Sequence, residues 1–449
     1  MGANYTFKKI KKSLHEAGVK FVRILWCDNA NIIRGKAVHL EMLSHYFEHG
    51  VGISAGEQGI PVMYDAIAPD CGLAPVGEIR LVADWDSLTP LPYAPGHARV
   101  LGNMILDNQP WAFCPRHFLR EMIAAAKREG LEVKAAFENE FYLLRQTPEG
   151  IVPTESTVFA ATQAMDINRE VIDAIADALI AQKIPVEQYY PESGPGQQEI
   201  SMRYTDALRA ANYQIAFRET VRAIARHHNL TASFLPKIFP EAASSGCHIH
   251  LSLWRDGENI VPDAQGAAGL SQTARAFIAG ILHHLPALMA ITTPSPNSYR
   301  RIRPHTWSGA FRCWGIDNRE AAVRVPSDPE FGNPTHFEVK TVDATANPFL
   351  AIGAIIAAGL DGIQRNLELA NPVTEDPGNL PIEQRTANGI DPLPTNLGEA
   401  LDNLRQNNVL LNALNPQLSQ AFVAVRQAEW LAMKDWDLDA EVKLLLERY

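Results

Sequence analysis

Residues 136–142 read Ala-Phe-Glu-Asn-Glu-Phe-Tyr, and this alternation of acidic and aromatic side chains predicts a strand with two different faces. Successive side chains of a strand point to opposite sides, so Glu138 and Glu140 share one face while Phe137 and Phe141 share the other. Two carboxylates therefore point into one space. An isolated Glu-x-Glu pair is also typical of a solvated strand face, so the interpretation depends on the residues that accompany it.

Downstream segments carry more residues of the types that bind metal ions. They are Glu192 and Glu199 at the ends of Pro-Glu-Ser-Gly-Pro-Gly-Gln-Gln-Glu (191–199), His248, His250 and Ser252 on one face of Cys-His-Ile-His-Leu-Ser (247–252), and Glu338 in the apolar Phe-Glu-Val (337–339). Five carboxylates in one pocket raise each other's pKa values unless cations neutralise them. Oxygen-rich ligation with one imidazole suits Mg²⁺ or Mn²⁺ better than zinc, and a pair of such ions can clamp a phosphoryl group during its transfer.

Arginines are concentrated further along the chain. Six of them occur in the 25 positions from 300 to 324: Arg300, Arg301, Arg303, Arg312, Arg319 and Arg324. A single arginine in such a region is more often a surface residue. Their concentration favours an anion site, where arginines stabilise the charge that develops on a transferred phosphoryl group.

The composition restricts the class of protein. The chain has 449 residues, of which 46% are hydrophobic and 20% charged, so disordered, collagen-like and disulfide-scaffold classes are excluded. A net charge of −11 argues against a nucleic-acid partner, since phosphate backbones bind basic surfaces. Five cysteines without a Cys-x-x-Cys motif predict neither a disulfide framework nor a zinc knuckle and favour a cytoplasmic location. The apolar run 349–360 is too short to span about 30 Å of hydrocarbon, and no apolar segment follows the lysine-rich start, so we expect no membrane association.

The pattern along the chain predicts a small β-rich front domain, residues 1–105, and a large mixed body, residues 106–449. A hairpin is expected over residues 19–40 around a turn at 28–31, and the proline-rich stretch 89–96 is typical of a boundary or crossover. In the body we expect helices over 116–129, 168–182, 206–228 and 346–366, strands over 132–144, 186–190 and 247–254, and a polar loop over 372–394.

Taken in order, the motifs resemble those of the glutamine synthetase superfamily, type I-like, and are closest in pattern to γ-glutamyl-amine ligases of the polyamine and ethanolamide types. The motifs are Glu-x-Glu (138–140), Glu-x₆-Glu around Gly-Pro-Gly-Gln (192–199), Ser-Gly-Cys-His-Ile-His (245–250), Asn-Ser-Tyr-Arg-Arg (297–301), Asn-Arg-Glu-Ala (318–321) and Phe-Glu-Val-Lys (337–340). The resemblance implies an α+β fold, with an N-terminal β-grasp domain that includes Arg34-Gly35-Lys36 and a catalytic β-sheet bifunnel with surrounding helices. It also implies a homododecamer of two stacked hexameric rings, with each active site between two subunits.

The resemblance implies roles for individual residues. Glu140, Glu192 and Glu199 would bind one metal ion, and Glu138, His248 and Glu338 the second. Glu187, His250, Ser252 and Arg324 would contact the nucleotide, and Arg301, Arg319 and Arg324 would be catalytic. Glu140, Ser245, Gly246, Arg301 and Lys340 would contact substrate. With ATP as co-substrate and two Mg²⁺ or Mn²⁺ ions per site, the implied reaction activates the γ-carboxylate of glutamate as an acyl phosphate, which an amine then attacks.

The departures from the family pattern concern the amine. Glutamine synthetases hold ammonium with an Asp in an Asp-Gly-Ser-Ser stretch of the neighbouring β-grasp domain, a flap Glu, a Tyr and one metal-ligand Glu. Gly52, Trp307 and Phe159 stand at the first three positions, and only Glu192 remains. A small cation needs acids to replace its hydration shell, whereas aromatic faces attract an alkylammonium by roughly 0.5–2 kcal/mol. The alternative for Trp307 is that it packs inside its own loop.

The acid end of the site also departs from the pattern. The family's Asn-Gly-Ser-Gly loop reads Ala-Ser-Ser-Gly at 243–246, and Lys340 replaces an arginine. Lysine is cationic but cannot form the bidentate fork to a carboxylate, so glutamate is the default acid. The loop 372–394 contains no tyrosine, so the family's regulatory adenylylation is not expected there.

These observations predict an ATP-dependent ligase that joins glutamate to a primary organic amine such as an alkylamine, ethanolamine or a polyamine. Three alternatives stay open at this point. They are an ordinary ammonium-using glutamine synthetase, a non-catalytic assembly protein on the same scaffold, and a two-metal phosphohydrolase.

Overall fold

The computed structural model describes residues 2–328, 330 and 332–449. Two sheets dominate it, one in the front of the chain and one in the body, with helices packed around the second. The expected α+β architecture is confirmed.

The front domain consists of helix α1 (Gly2–Glu16) and a twisted sheet. The strands of this sheet are β1 (Phe21–Cys27), β2 (Ile33–His39), β3 (Val51–Ser54), β4 (Glu78–Pro90), β5 (His97–Leu106) and β6 (Gln109–Pro110), with a short helix α2 (Leu43–Tyr46) between β2 and β3. Their spatial order is β2-β1-β5-β4-β3, in which β1 and β5 are parallel and the other neighbours antiparallel. The predicted hairpin is confirmed, because Val22 lies opposite Val38 in an antiparallel pair. The stretch 89–96 joins antiparallel β4 and β5 inside this sheet, so the expected boundary or crossover there is wrong.

The body is built on a second, mostly antiparallel sheet. Its strands are β7 (Glu132–Thr147), β8 (Gly150–Pro153), β9 (Val186–Pro191), β10 (Gln197–Met202), β11 (Thr205–Asp206), β12 (Thr231–Ser233), β13 (Cys247–Arg255), β14 (Glu258–Asn259), β15 (Phe311–Ile316), β16 (Ala321–Val325) and β17 (Phe337–Val339). The main path runs β15-β16-β17-β13-β7-β10-β9. The long strand β7 lies at its centre, with β13 on one side and β10 on the other.

The body also contains helices. They are α3 (Pro115–Arg128), α4 (Thr162–Ala181), α5 (Ala207–His227), α6 (Gln272–Thr292), α7 (Ser298–Arg301), α8 (Pro348–Gln364), α9 (Ile382–Ala387), α10 (Leu397–Arg405), α11 (Asn408–Leu414), α12 (Pro416–Met433) and α13 (Leu438–Leu445). The helices expected near α3, α4, α5 and α8 are present, whereas α6 was missed and the expected loop 372–394 contains α9. Gly280 on α6 lies against α8, where a Cβ would be 2.2 Å from the carbonyl oxygen of Ala358, so these two apolar helices pack at close range.

Helix α6 is long and apolar enough to cross a bilayer by length and composition alone. Within its most apolar window, 78% of the residues are buried inside the protein. This burial is typical of the core helix of a globular protein, and α6, rather than the run 349–360, is the longer apolar segment.

The turn between β1 and β2 joins the two halves of the molecule. Its four residues, Asp28 to Asn31, are fully buried. Arg218 of α5 donates from Nη1 to Asn31 Oδ1 at 2.9 Å, and Asn31 Nδ2 donates to the carbonyl oxygen of Ala344 at 2.8 Å. The hydroxyl of Tyr449 donates to the carbonyl oxygen of Ala30 at 2.8 Å. A local turn of the front domain is thus a structural element of the body.

We expect Asn31→Ala to destabilise the protein strongly. Asn31 has a φ of 63°, and the change would remove the side-chain acceptor of the buried Arg218 Nη1, leaving the guanidinium only the backbone carbonyl oxygen of residue 31, 3.3 Å from Nη2. Left-handed backbone strain and the loss of this buried charge-assisted hydrogen bond together predict a loss of about 3 kcal/mol in the free energy of unfolding.

The matched control is Asn108→Ala, because Asn108 has a φ of 61° but is exposed. This change should cost only about 1 kcal/mol. Urea denaturation followed by circular dichroism measures both variants, and equal losses would contradict the role assigned to Asn31.

Candidate active site

Strand register brings the predicted metal-binding residues together. Across the β7–β13 pair, Glu138 lies opposite His248, and across β7–β10, Glu140 lies opposite Glu199. Across β13–β17, His250 lies opposite Glu338. Residues on neighbouring strands at the same register project to the same face, so one face of the sheet collects these side chains.

His248 is at the centre of this cluster. Its Nδ1 is 2.9 Å from Glu138 Oε1 and 3.0 Å from Glu338 Oε1. Two ligands at right angles, each 2.1 Å from a small divalent ion, are about 3 Å apart, so each of these two distances matches the spacing of neighbouring ligands around Mg²⁺ or Mn²⁺. Among the described residues there are two groups of three candidate ligands, and within each group the ligand atoms lie within 4.8 Å of one another. Glu138 belongs to both, and neither contains the whole predicted set of Glu138, His248 and Glu338. The groups are Glu138, Glu140 and His248, and Glu138, His250 and Glu338.

The remaining predicted ligands are coupled to this cluster by charge. Burial, followed by the charges of Glu138 and Glu140, raises the pKa of Glu199 to about 10. Burial and the charge of Glu140 also raise the pKa of Glu192. Within the described residues, neither side chain joins the two close groups of ligand atoms, so the metal set Glu140, Glu192 and Glu199 stays a prediction.

Two of the acids have pKa values held low by neighbouring side chains. Burial alone would raise the pKa of Glu138, but the hydrogen bond with His248 and the nearby imidazole of His250, whose Nε2 is 3.4 Å from Glu138 Oε2, hold it well below its usual range. The pKa of Glu338 is also well below its usual range, because Lys340 and His248 outweigh its burial. The cluster thus contains ionised carboxylates beside a carboxyl whose proton a metal ion would have to displace, and this donor set fits a hard divalent cation.

The predicted catalytic arginines differ in their surroundings. Arg301 is buried, and its Nη2 is 2.8 Å from His248 Nε2 and donates to the carbonyl oxygen of Lys340 at 3.0 Å. Arg324 Nε is 3.0 Å from Glu338 Oε2. Arg319 lies beside the ring of Trp307, with its guanidinium carbon 5.8 Å from the ring centroid.

Two arginines of the predicted anion site have structural partners elsewhere. Arg300 forms a bidentate pair with Glu441 of α13, with distances of 2.8 and 2.9 Å, and Arg312 pairs with Asp391. Each arginine thus pairs with an acid that is distant in sequence. The prediction that all six arginines serve an anion site is therefore wrong for Arg300 and Arg312.

Glu140 and the loop before β13 form the other side of the cluster. The backbone N–H of Gly246 donates to Glu140 Oε2 at 2.9 Å, and Ser245 Oγ accepts from Gln197 Nε2 at 3.1 Å. A Cβ at position 246 would be 2.4 Å from His248 Nε2 and 2.8 Å from Arg301 Nη2. Only glycine fits at this position. Gly246 therefore lies directly beside Glu140, His248 and Arg301, and Ser245 precedes it in the same loop.

A cavity of about 930 Å³ opens beside the cluster. Three of the four predicted nucleotide contacts, Glu187, His250 and Ser252, line it together with the candidate metal ligand Glu138, whereas the fourth, Arg324, is not among its lining residues. Trp254 also lines this cavity, and its ring centroid lies 3.3 Å from Lys134 Nζ. This residue was not predicted from the sequence. The alternation of Ser252 and Trp254 on one strand face was the signal that could have found it.

The two aromatic side chains predicted to face the amine are exposed. Trp307 is 55% exposed, so the alternative that it packs inside its loop is wrong. Its loop starts at Arg301, which contacts His248, so Trp307 is six residues from a side chain of the metal cluster. Phe159 is 48% exposed and lies edge-on to Tyr190, with ring centroids 5.9 Å apart.

The structure also reveals an acid beside Gly52. A Cβ at position 52 would be 2.5 Å from the carboxyl carbon of Glu78, so this carboxylate occupies the space above the glycine. Glu78 belongs to β4, which pairs with β3. Glu78 was not predicted from the sequence, because it is distant from Gly52 along the chain. Only the pairing of β3 with β4 brings the two residues together.

Two family models match nearly the whole chain. The family model for the glutamine synthetase N-terminal domain matches residues 8–111, and that for the glutamine synthetase catalytic domain matches residues 112–444. The type-1 glutamine synthetase 1 of Dictyostelium discoideum is 34% identical, covering 96% of this chain and 90% of the relative. The gamma-glutamylpolyamine synthetase GlnA3 of Streptomyces coelicolor is 36% identical, covering 94% and 92%.

Solved structures from the same group of proteins resemble this fold closely. A glutamine synthase homolog superposes with a TM-score of 0.85 and 31% identity, covering 96% of this chain and 99% of the other. A complex of GmaS with ADP superposes with a TM-score of 0.84 and 28% identity, covering 96% and 98%. Enzymes of the family use ATP, divalent metal ions and glutamate together with ammonia or an amine. This chain belongs to the glutamine synthetase family of ATP-dependent ligases, EC 6.3.1.

Proposed function

We propose that this enzyme joins the γ-carboxylate of glutamate to a primary organic amine and releases a γ-glutamyl amide. The observation that carries the proposal is the exposed indole of Trp307, at the position where the family resemblance leads one to expect a flap carboxylate. The exposed ring of Phe159 adds a second aromatic surface. Aromatic faces bind an alkylammonium through cation–π and apolar contacts, whereas ammonium needs hydrogen bonds in all directions.

The proposed reaction has two steps. A carboxylate oxygen of glutamate attacks the γ-phosphorus of ATP, ADP leaves, and an acyl phosphate forms. The amine nitrogen then attacks the acyl carbon, the bond from that carbon to the phosphate oxygen breaks, inorganic phosphate leaves, and the nitrogen loses a proton. Divalent ions would supply the charge neutralisation that lets anionic phosphates approach these carboxylates.

We assign the residues as the sequence pattern suggests. Two Mg²⁺ or Mn²⁺ ions would be held by Glu138, Glu140, Glu192, Glu199, His248 and Glu338. Arg301, Arg319 and Arg324 would stabilise developing charge, Lys340 would help hold the acid, and the cavity beside Ser252 would take the nucleotide. The distances around His248 support the second ion, and the shared cavity supports the nucleotide. We also propose the assembly of two hexameric rings, in which Gly52 and Glu78 of one subunit face the cluster of the next.

Ordinary glutamine synthetase is the second candidate, and one observation favours it. The carboxylate of Glu78 above Gly52 could take over the part of the acid missing from position 52. The same carboxylate would equally bind a second ammonium group of a diamine. Relatives of both kinds, glutamine synthetases and a gamma-glutamylpolyamine synthetase, match the chain at similar identity. The nucleophile must therefore be measured.

Turnover should depend on the metal cluster. Glu338 is fully buried and lies 3.0 Å from His248, so Glu338→Ala removes a candidate ligand and should lower the rate of phosphate release more than about 100-fold. Titration of Mn²⁺ by calorimetry should show weaker binding. Glu132→Ala, which removes an exposed carboxylate from the same sheet, is the control and should leave both unchanged. Near-full activity of Glu338→Ala would refute the metal assignment.

The nucleophile should be an organic amine. Phosphate release is measured with ATP, Mg²⁺ and glutamate against ammonium, methylamine, ethylamine, ethanolamine, putrescine and an aromatic amine, with mass spectrometry of the product. We expect a γ-glutamyl amide from at least one organic amine and a much lower kcat/KM with ammonium. Saturation by ammonium at low concentration would instead establish a glutamine synthetase.

Replacing the indole by an acid should shift the preference towards ammonium. Since a cation–π contact contributes up to about 2 kcal/mol, Trp307→Glu should lower the ratio of kcat/KM for the preferred organic amine to that for ammonium about tenfold. Trp307→Phe keeps an aromatic face and should retain most of the wild-type ratio. An unchanged ratio in Trp307→Glu would mean that the indole does not contact the amine.

A further inference from the structure

The loop that carries Trp307 is held in an unusual backbone conformation. His305 and Trp307 have φ values of 63° and 57°, which residues with a Cβ adopt at a cost of roughly 1–3 kcal/mol each. A conformation of this kind persists only where surrounding groups stabilise it. The stabilising contacts therefore decide where the indole of Trp307 lies.

Glu320 provides the main contact with the peptide of Trp307. The N–H of Trp307 donates to Glu320 Oε1 at 2.8 Å, and the backbone N–H of His305 also interacts with this carboxylate. Glu320 is buried, at 7% exposure. In the part of the chain that the structure describes, its second oxygen, Oε2, is buried without a hydrogen-bond partner.

Glu320 is itself fixed by the neighbouring segments. Its own N–H donates to Asn318 Oδ1 at 3.0 Å, and Asn318 Nδ2 donates to the carbonyl oxygens of Val373 and Glu375 at 2.9 and 3.0 Å. The preceding residue, Arg319, faces the ring of Trp307. The dipeptide Arg319-Glu320 thus contacts Trp307 from two sides, at the ring and at the backbone.

We infer that Glu320 is a positioning residue for the amine site, because its carboxylate holds the backbone of Trp307 so that the indole faces the incoming amine. The inference rests on the proposed function in taking Trp307 as an amine contact. Its content is different, since it assigns nucleophile selectivity to a buried carboxylate that does not itself touch the nucleophile. Loss of this carboxylate should release the loop and weaken amine binding without affecting the binding of ATP or glutamate.

A double-mutant cycle tests this inference. Steady-state kinetics are measured for wild type, Glu320→Ala, Trp307→Ala and the double variant, with the nucleophile that the wild type uses best. Loss of a charge-assisted hydrogen bond predicts that Glu320→Ala raises the KM for the amine on the order of fivefold, while the KM values for ATP and glutamate stay within about twofold. In the Trp307→Ala background the same change should have almost no further effect, because both act through one side chain.

Three further variants sharpen the test. Glu320→Gln keeps an acceptor oxygen and should restore most of the wild-type KM, whereas Glu320→Asp keeps the charge, shortens the reach and should resemble Glu320→Ala. Should Glu320→Ala fail to fold, the cycle is run with Glu320→Asp. Glu375→Ala removes an exposed carboxylate from the adjacent segment and should behave as wild type.

Hydrogen exchange provides a readout that is independent of catalysis. The peptide containing the Trp307 amide should exchange faster in Glu320→Ala than in wild type or Glu375→Ala. Equal effects of Glu320→Ala in both backgrounds, or a parallel rise in all three KM values, would overturn the inference. If the wild type prefers ammonium, the proposed function fails, but the cycle with ammonium and the exchange rates still decide the role of Glu320.

Discussion

The register between β7 and β13 is the constraint on which the catalytic half of the molecule depends. It sets Glu138 opposite His248, and the imidazole then lies between two carboxylates. A shift of one residue along either strand would turn Glu138 to the core face and bring Phe137 to the metal-binding face. The buried phenylalanines on the back of β7 prevent that shift, since their burial on the wrong side would be lost. The hydrophobic core and the acidic cluster therefore specify the same register.

Concentrated negative charge is the main cost of this arrangement, and cations offset it before any ligand arrives. Glu338 lies within reach of Arg324 and Lys340, at 3.0 and 3.5 Å, as well as His248. The pKa of Glu199 is raised instead, because its burial and the charges of Glu138 and Glu140 all disfavour ionisation. A metal ion bound among these carboxylates would free arginine and lysine side chains that now neutralise acids. Arg324 and Lys340 could then contact anionic substrate. These two side chains would thus neutralise Glu338 in the absence of metal and bind substrate in its presence.

Much of the fold followed from local pattern, and the failures have a common physical origin. The two faces of β7, the hairpin at 19–40 and helices such as α3 were predictable because each depends on residues close in sequence. Helix α6 was missed because its apolar residues surround the whole helix, leaving no amphipathic period to detect. The salt bridge of Arg300 with Glu441 and the carboxylate of Glu78 above Gly52 join residues 141 and 26 positions apart. Partners of that kind are fixed by tertiary packing, which single-sequence patterns do not contain.

The amine side shows how far this distinction extends to function. Sequence alone shows that an acid is absent at position 52 and that an aromatic residue stands at position 307, and both facts suggest a loss of charge. The structure returns one carboxylate to the neighbourhood of each position, Glu78 above Gly52 and Glu320 behind Trp307. Glu320 is not placed as a flap acid would be, since its carboxylate is buried and binds the backbone N–H of Trp307. In the proposed site, the ring of Trp307 would contact the carbon atoms of an alkylammonium, and the nearby carboxylates would stabilise its positive charge. Bare ammonium, which has no carbon atoms to bury, would gain only the second of these, and this difference in free energy would be the physical basis of the proposed discrimination between the two nucleophiles.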